Sequence, residues 1–141
     1  FMQNTADFND KVRIIKKKSD QALDELSNEK FDVIFIDADH RYDYIKSDIE
    51  RALNILDENG VIIGHDCELN LDDCNEEQRK IVKENVNKDT IVSISKNFKH
   101  NHCGVIQAVN EFKYSKFLFC NAPFRLNEKS EYSSIFVLQK K

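Results

Sequence analysis

The sequence predicts an α/β fold: a parallel strand–helix–strand unit followed by an antiparallel strand pair. Three observations carry that expectation. Phe31 to Ile36 (FDVIFI) and Val61 to Gly64 (VIIG) are short apolar runs of strand length. Between them, Ile45, Ile49, Ala52, Leu53 and Leu56 recur at helical spacing. Near the end, Lys116 to Cys120 (KFLFC) and Ser133 to Leu138 (SSIFVL) are strand-like, with no helical apolar stripe between them, so they should pair antiparallel.

The elements follow in order. KVRIIK, residues 11–16, alternates weakly and reads as a strand. In SDQALDELSN, residues 19–28, Ala22, Leu23 and Leu26 share one helical face, with Ser19 as the N-cap and acids in the first turn. FDVIFI is nearly continuous apolar, the pattern of a strand buried on both faces. The helix from Asp43 to Asp57 should close at Asn59-Gly60, since both residues tolerate left-handed backbone. A strand, a helix and a strand joined this tightly should place the strands parallel with a right-handed crossover. Residues 67–101 are polar and irregular and read as a variable insertion. A helix is expected near 75–87 (NEEQRKIVKENVN) and a strand at 90–94. Gly104 then precedes VIQAVNEF, where Val105, Ala108, Val109 and Phe112 form a helical stripe.

With 141 residues, the chain is long enough for one domain with a real core, residues 1–141. It is 40% hydrophobic and 33% charged, but the apolar residues are clustered, which argues against disorder. The net charge of -4, with Lys16-Lys17-Lys18 as the longest basic run, gives no footprint for a nucleic-acid groove. No apolar run approaches the roughly 18 residues of a membrane span, and no signal-peptide pattern is present. The expectation is a cytoplasmic protein that binds neither nucleic acid nor membrane and keeps Cys67, Cys74, Cys103 and Cys120 reduced.

Both strands of the central unit end in acid and imidazole: Asp37-Ala38-Asp39-His40 after the first, His65-Asp66-Cys67-Glu68 after the second. In parallel sheets, ligands bind beyond the carboxyl ends of strands. Asp37 and Asp66 should therefore lie close together. Two close carboxylates repel, and a divalent cation relieves that repulsion. An oxygen-rich set suits Mg2+, Mn2+ or Ca2+ better than Zn2+. His40 or His65 could act as a base near neutral pH. The plainer alternative is that these acids cap helices and satisfy loop amides. A further alternative is a zinc site closed over the polar insertion by some of His65, Cys67, Cys74, His100, His102 and Cys103, although their spacing fits no standard finger.

The stretch FDVIFIDADHRYDYIKSDIERALNILDENGVIIGHD resembles the central part of class I S-adenosylmethionine-dependent methyltransferases. The similar subgroup has a strand ending in Ile-Asp-Gly-Asp-His, a helix with an early Asp, Leu-x-x-Gly-Gly, and a strand ending in His-Asp. Here those elements are Ile36 to His40, Asp48, Leu56 to Gly60, and His65-Asp66. GVIQAVNEF, residues 104–112, resembles the subgroup's Gly-Val-x-x-Ala-Val-x-x-Phe helix.

The resemblance implies a Rossmann-like sheet of order 3-2-1-4-5-7-6 with a C-terminal antiparallel hairpin. It aligns KVRIIKK with the third strand and residues 1–8 with the end of the preceding helix. The first two strands and the glycine-rich loop that receives the cofactor have no counterpart. By the size of a βαβ unit this amounts to roughly 60 to 90 residues. That implies weak cofactor binding by these residues by themselves, and exposed sheet edges through which copies could associate. Further implied roles are O-methyl transfer to a small hydroxylated or sugar-like acceptor, and cofactor contacts at Ser19, Asp20, Asp37 and Ala38. Asp37, Asp66 and His65 would be cation ligands, and His40 the general base. The family's third metal ligand is an Asn after the second acid or a Glu before it. This chain has Cys67 and His65 in those places. A non-catalytic, methyltransferase-like protein-binding domain is the alternative.

Overall fold

The computed structural model describes residues 6–8, 10–92, 94, 100–112, 115–120, 124–126, 129–131 and 134–139, with 115–131 described by backbone. Its centre is the expected unit. After α1 (Ser19–Glu25) come β1 (Phe31–Ile36), α2 (Tyr42–Ile55) and β2 (Leu56–His65), with β1 and β2 parallel. Then follow α3 (Glu76–Glu84), a two-residue pair β3 (Ile91–Val92) and β4 (His100–Asn101), and α4 (Cys103–Glu111). β5 (Ser115–Cys120), a small hairpin of β6 (Phe124–Leu126) and β7 (Lys129–Glu131), and β8 (Ser134–Gln139) complete the described fold.

The main sheet has the order β1-β2-β8-β5. β8 runs antiparallel to both neighbours, with Gly64 opposite Phe136 and Phe117 opposite Val137. The expected pairing of the last two long strands therefore holds. The order corresponds to the 4-5-7-6 part of the sheet that the resemblance implied.

Helix α2 forms where the apolar stripe predicted it. Ile45, Ile49, Ala52 and Leu53 face Val105, Ala108 and Val109 of α4 and the sheet residues Ile36, Ile62, Phe136 and Leu138. Full burial of a side chain such as Ile49, which is 0% exposed, contributes roughly 1.5–3 kcal/mol. A smaller cluster of Val82, Cys103 and Ile106 ties α3 to α4. Helix α3 starts on a capping box, in which Asn75 accepts from the Gln78 backbone and the Gln78 side chain accepts from the Asn75 backbone.

Several expectations change. KVRIIK is not a strand: residues 12–16 are irregular and Ile14 is exposed. Among the described residues nothing pairs with the outer edge of β1, and an isolated strand has no ladder to form. β1 is not buried on both faces. Ile36 is buried, but Val33 and Phe35 are 57% and 58% exposed, because α2 and α4 cover only the other face. Helix α1 ends at Glu25 rather than near 28. Residues 1–5, aligned with a preceding helix, lie outside the described residues. The β6–β7 hairpin had no sequence signal that separated it from the flanking strands.

Asn59-Gly60 does not cap α2. The helix stops at Ile55, and Leu56 already pairs with Phe31. The register then shifts, so that Asp57 to Gly60 bulge out before Val61 pairs with Val33. Gly60 has no left-handed backbone; it is needed for space, since a Cβ there would lie 2.8 Å from Leu56 Cδ1 and 2.9 Å from the Phe31 carbonyl.

Gly104 is the tighter case. A Cβ on it would lie 2.3 Å from the His40 carbonyl oxygen, 2.4 Å from the Tyr42 nitrogen and 2.7 Å from the Val86 carbonyl oxygen. Those are backbone atoms, which cannot rotate away. Gly104→Ala should therefore destabilise the fold by about 1–3 kcal/mol through overpacking. Urea unfolding measures this; an unchanged midpoint would mean that the junction gives way.

Candidate active site

The parallel pairing brings the two strand ends together. Asp37 and Ala38 sit exposed at the end of β1. Asp39 is committed to Arg41: its Oδ1 accepts from the Arg41 backbone N–H at 3.0 Å and from Nε at 2.9 Å, and its Oδ2 from Nη2 at 2.6 Å. The Arg41 hydrogen bonds hold the Asp39 carboxyl down at about 2. His40 turns back over the sheet edge. Its Nδ1 is 2.8 Å from Asp89 Oδ1 and its Nε2 is 3.1 Å from Asp66 Oδ2. That second approach is close enough for charge pairing but poorly aligned, leaving Nε2 buried without a hydrogen-bond partner.

Asp66 follows β2 in left-handed backbone, φ 65°, which Asp tolerates better than most residues. Its N–H donates to the Ser134 carbonyl at 3.0 Å, so the start of β8 holds it in place. Three imidazoles surround its carboxylate. Besides His40, His65 Nδ1 is 2.9 Å from Oδ1 and His102 Nδ1 is 3.7 Å from Oδ1. His102 is held more closely by the buried Glu68: the two are 2.6 Å apart at Nδ1, and the His102 backbone N–H donates to Glu68 Oε2 at 3.0 Å. The His40 and His102 rings lie tilted at 55° with centroids 4.4 Å apart. Burial opposes the charged form of His102, but the Glu68 hydrogen bond and charge, helped by Asp66 and Asp89, raise its pKa overall.

The local folding explains this convergence. The Tyr42 N–H donates to the Val86 carbonyl at 3.0 Å, which fixes the loop after α3 against the loop after β1 and puts Asp89 on His40. The start of α4 sits at the same place through Gly104, and His102 precedes it by two residues.

Asp37, His65 and Asp66, the expected cation set, bring one ligand atom each within 4.8 Å of one another. So do His40, Asp66 and His102. Cys67 is 1% exposed, with its thiol toward the Leu69 carbonyl at 3.8 Å, so His65 and not Cys67 stands where a third ligand can reach. The thiolate–imidazole zinc set does not assemble: among the described residues, no group close enough to share an ion contains a cysteine. Cys74 turns to the Asn70 carbonyl, Cys103 packs with Val82 and Ile106, and His100 is exposed on β4.

Ser19 is not an N-cap. Lys18 holds that position without a side-chain cap bond. The Ser19 hydroxyl instead bonds Asp48, whose carboxyl is raised by burial and lowered by that bond, with the charges of Asp20 and Asp39 raising it further. Among the described residues no hydrogen bond or ion pair joins Ser19 or Asp20 to the His40–Asp66 cluster.

Asp89 was not anticipated; it lies in a polar turn with no pattern to mark it. Glu68 stood in the second acidic cluster without a role, and His102 appeared only among zinc ligands.

The fold is that of class I methyltransferases. Residues 1–67 match the family model described as a methyltransferase domain. An O-methyltransferase from Bacillus cereus in complex with SAH is similar over 99% of this chain and 56% of that one, with 22% identity and a TM-score of 0.59. A Klebsiella pneumoniae protein provisionally described as an O-methyltransferase matches over 99% of this chain and 54% of its own, at 17% identity and TM-score 0.57. A Staphylococcus aureus protein provisionally described as a caffeoyl-CoA O-methyltransferase matches over 96% and 56%, at 18% and 0.52. The chain thus spans about half the length of these structures. No curated protein matches the sequence. The resemblance read from the strand-end motifs is borne out, and with it the Rossmann-like fold class. Among the described residues, no helix is long and apolar enough to cross a membrane.

Two predictions follow from the geometry. The Cys103 thiol is fully buried, and desolvation pushes it up to about 11. It should resist iodoacetamide at pH 8 and react only after denaturation, as peptide mass spectrometry would show. His102 has a folded pKa above its ordinary 6.5. Its contribution to stability is complete below that ordinary value and is lost as pH rises through the raised one. The urea midpoint of the wild type should fall over that range relative to His102→Gln; parallel pH profiles would contradict the assignment.

Proposed function

We propose that the natural protein containing this chain transfers a methyl group from S-adenosylmethionine to a hydroxyl oxygen of a small polar acceptor. The observation that carries the reading is His40. It is an imidazole with Nδ1 on Asp89 and an Nε2 that, among the described residues, makes no hydrogen bond and lies 3.1 Å from Asp66 Oδ2, at the carboxyl edge of a sheet with the class I methyltransferase fold. An imidazole so placed can take the acceptor's proton as the methyl group arrives. The new bond is carbon to acceptor oxygen, the bond broken is carbon to sulfur, and S-adenosylhomocysteine leaves. Positioning does most of the work of such an in-line displacement.

The SAH complex of the Bacillus cereus enzyme supports S-adenosylmethionine as cofactor. Its contacts here would be Ser19, Asp20, Asp37 and Ala38. Asp37, His65 and Asp66 would hold a divalent cation. Two carboxylates and an imidazole accept Mn2+ more readily than Mg2+. Such an ion would orient the acceptor oxygen and stabilise its anion. The polar 67–101 segment would form the acceptor site and favours a hydroxylated or sugar-like molecule. The open β1 edge offers a route to self-association. That open edge, together with the absence of a glycine-rich loop in these residues, favours a second reading: a non-catalytic, methyltransferase-like binding domain.

The test is methyl transfer to a panel of hydroxylated small molecules and sugars by the natural protein. His40→Ala should lower kcat by about 10²–10⁴-fold with cofactor affinity kept. Wild-type rates in that variant would remove His40 from the chemistry, and no product from any acceptor would favour the binding domain. Calorimetry on these 141 residues by themselves should show S-adenosylmethionine binding weaker than micromolar.

A further inference from the structure

We propose that His40, Asp66 and His102 form a second, nitrogen-rich cation site, selective for a late divalent transition metal such as Zn2+ and distinct from the Asp37–His65–Asp66 set. Three observations support it. One ligand atom from each of the three residues lies within 4.8 Å of the others. His40 Nε2 and Asp66 Oδ2 are 3.1 Å apart, close to the edge of a tetrahedron built on bonds of ~2.0 Å, which is about 3.3 Å. His40 Nε2 is buried and, among the described residues, makes no hydrogen bond; its approach to Asp66 Oδ2 is the contact a shared ion would bridge.

The surroundings match what a histidine-ligated metal requires. Ligating imidazoles donate their other ring N–H to a carboxylate, which fixes the tautomer and raises basicity. Both rings have that carboxylate here. Asp89 is 2.8 Å from His40 Nδ1, and the buried Glu68 is 2.6 Å from His102 Nδ1. In the neutral tautomers these bonds select, both lone pairs reside on Nε2; on His40 that nitrogen already faces Asp66, whereas His102 approaches Asp66 by Nδ1 at 3.7 Å, so its Nε2 would join the ion by a turn of the ring. Two imidazoles and one carboxylate form a donor set that suits zinc, cobalt or nickel and serves magnesium poorly. Three protein ligands also leave a coordination position open.

The two sites share Asp66, so they compete. A cation on His40 Nε2 would also occupy the nitrogen proposed above as the base. Transition metal would then inhibit methyl transfer. The site itself does not depend on the methyl-transfer reading.

The experiment is titration of this chain with Co2+, followed by visible absorption and by calorimetry, with Zn2+ in competition. Wild type should bind one equivalent with the intense bands of low-coordinate cobalt, displaced by Zn2+. His102→Gln should abolish the bands. Glu68→Gln, which leaves every ligand in place, should weaken binding by about 10–100-fold. Asp37→Asn should bind as wild type does. Circular dichroism of each variant separates ligand loss from unfolding. Binding lost in Asp37→Asn but kept in His102→Gln would place the ion in the other set and overturn the proposal. So would cobalt affinity no better than ~1 mM in the folded wild type, which leaves His40 and Asp66 as a simple ion pair. No cofactor or acceptor enters the titration, so failure of methyl transfer would not touch its outcome.

Discussion

The site depends on the contact that Gly104 makes with the backbone of His40 and Tyr42. Three segments far apart in sequence meet there: the loop after β1, the loop after α3, and the start of α4. Each brings one member of the polar cluster, namely His40, Asp89 and His102. A side chain at 104 would separate them by the width of a methyl group, and hydrogen bonds of 2.6 to 2.8 Å do not survive such a displacement. One residue without a side chain therefore sets the electrostatics of groups it never touches.

The site has a fixed half and an adjustable half. Asp66 is fixed twice, by its hydrogen bond to Ser134 and by its place at the end of a strand paired on both sides. His102 is nearly as constrained, because Glu68 takes both its ring and its backbone N–H. His40 is held by Asp89, whose side chain is 74% exposed, and that bond is weakened by solvent competition. Asp37 and Ala38 have no such support among the described residues and are exposed. The rigid part of the edge is thus the imidazole–carboxylate core, and the part assigned to cofactor is its open rim.

Much of this was legible in the sequence because it rested on periodicity. The α2 stripe, the β1 and β2 runs and the antiparallel partners β5 and β8 are local patterns with one economical arrangement. The acidic strand ends were legible for the same reason, since parallel pairing forces Asp37 and Asp66 to one edge. What was not legible was contact across sequence. Nothing in a polar turn marks Asp89 as the partner of His40, and nothing near residue 68 announces His102. KVRIIK and Asn59-Gly60 misled in opposite ways. The first has a strand's pattern without a neighbour to pair with. The second has a turn's composition, but Leu56 had already joined the sheet, so the turn was displaced into a bulge.

That bulge has a consequence for how the molecule tolerates change. Asp57, Glu58 and Asn59 leave the ladder between two paired positions, Leu56 and Val61, and Glu58 and Asn59 are exposed. Extra residues placed there would enlarge a loop already outside the hydrogen-bonded register, at an entropic cost that grows only with the logarithm of its length. Strand β2 would keep its alignment from Val61 to His65, and Asp66 would stay where it is. Of the chain between the two acidic strand ends, this is the segment best suited to carry a label or an inserted peptide without moving the site.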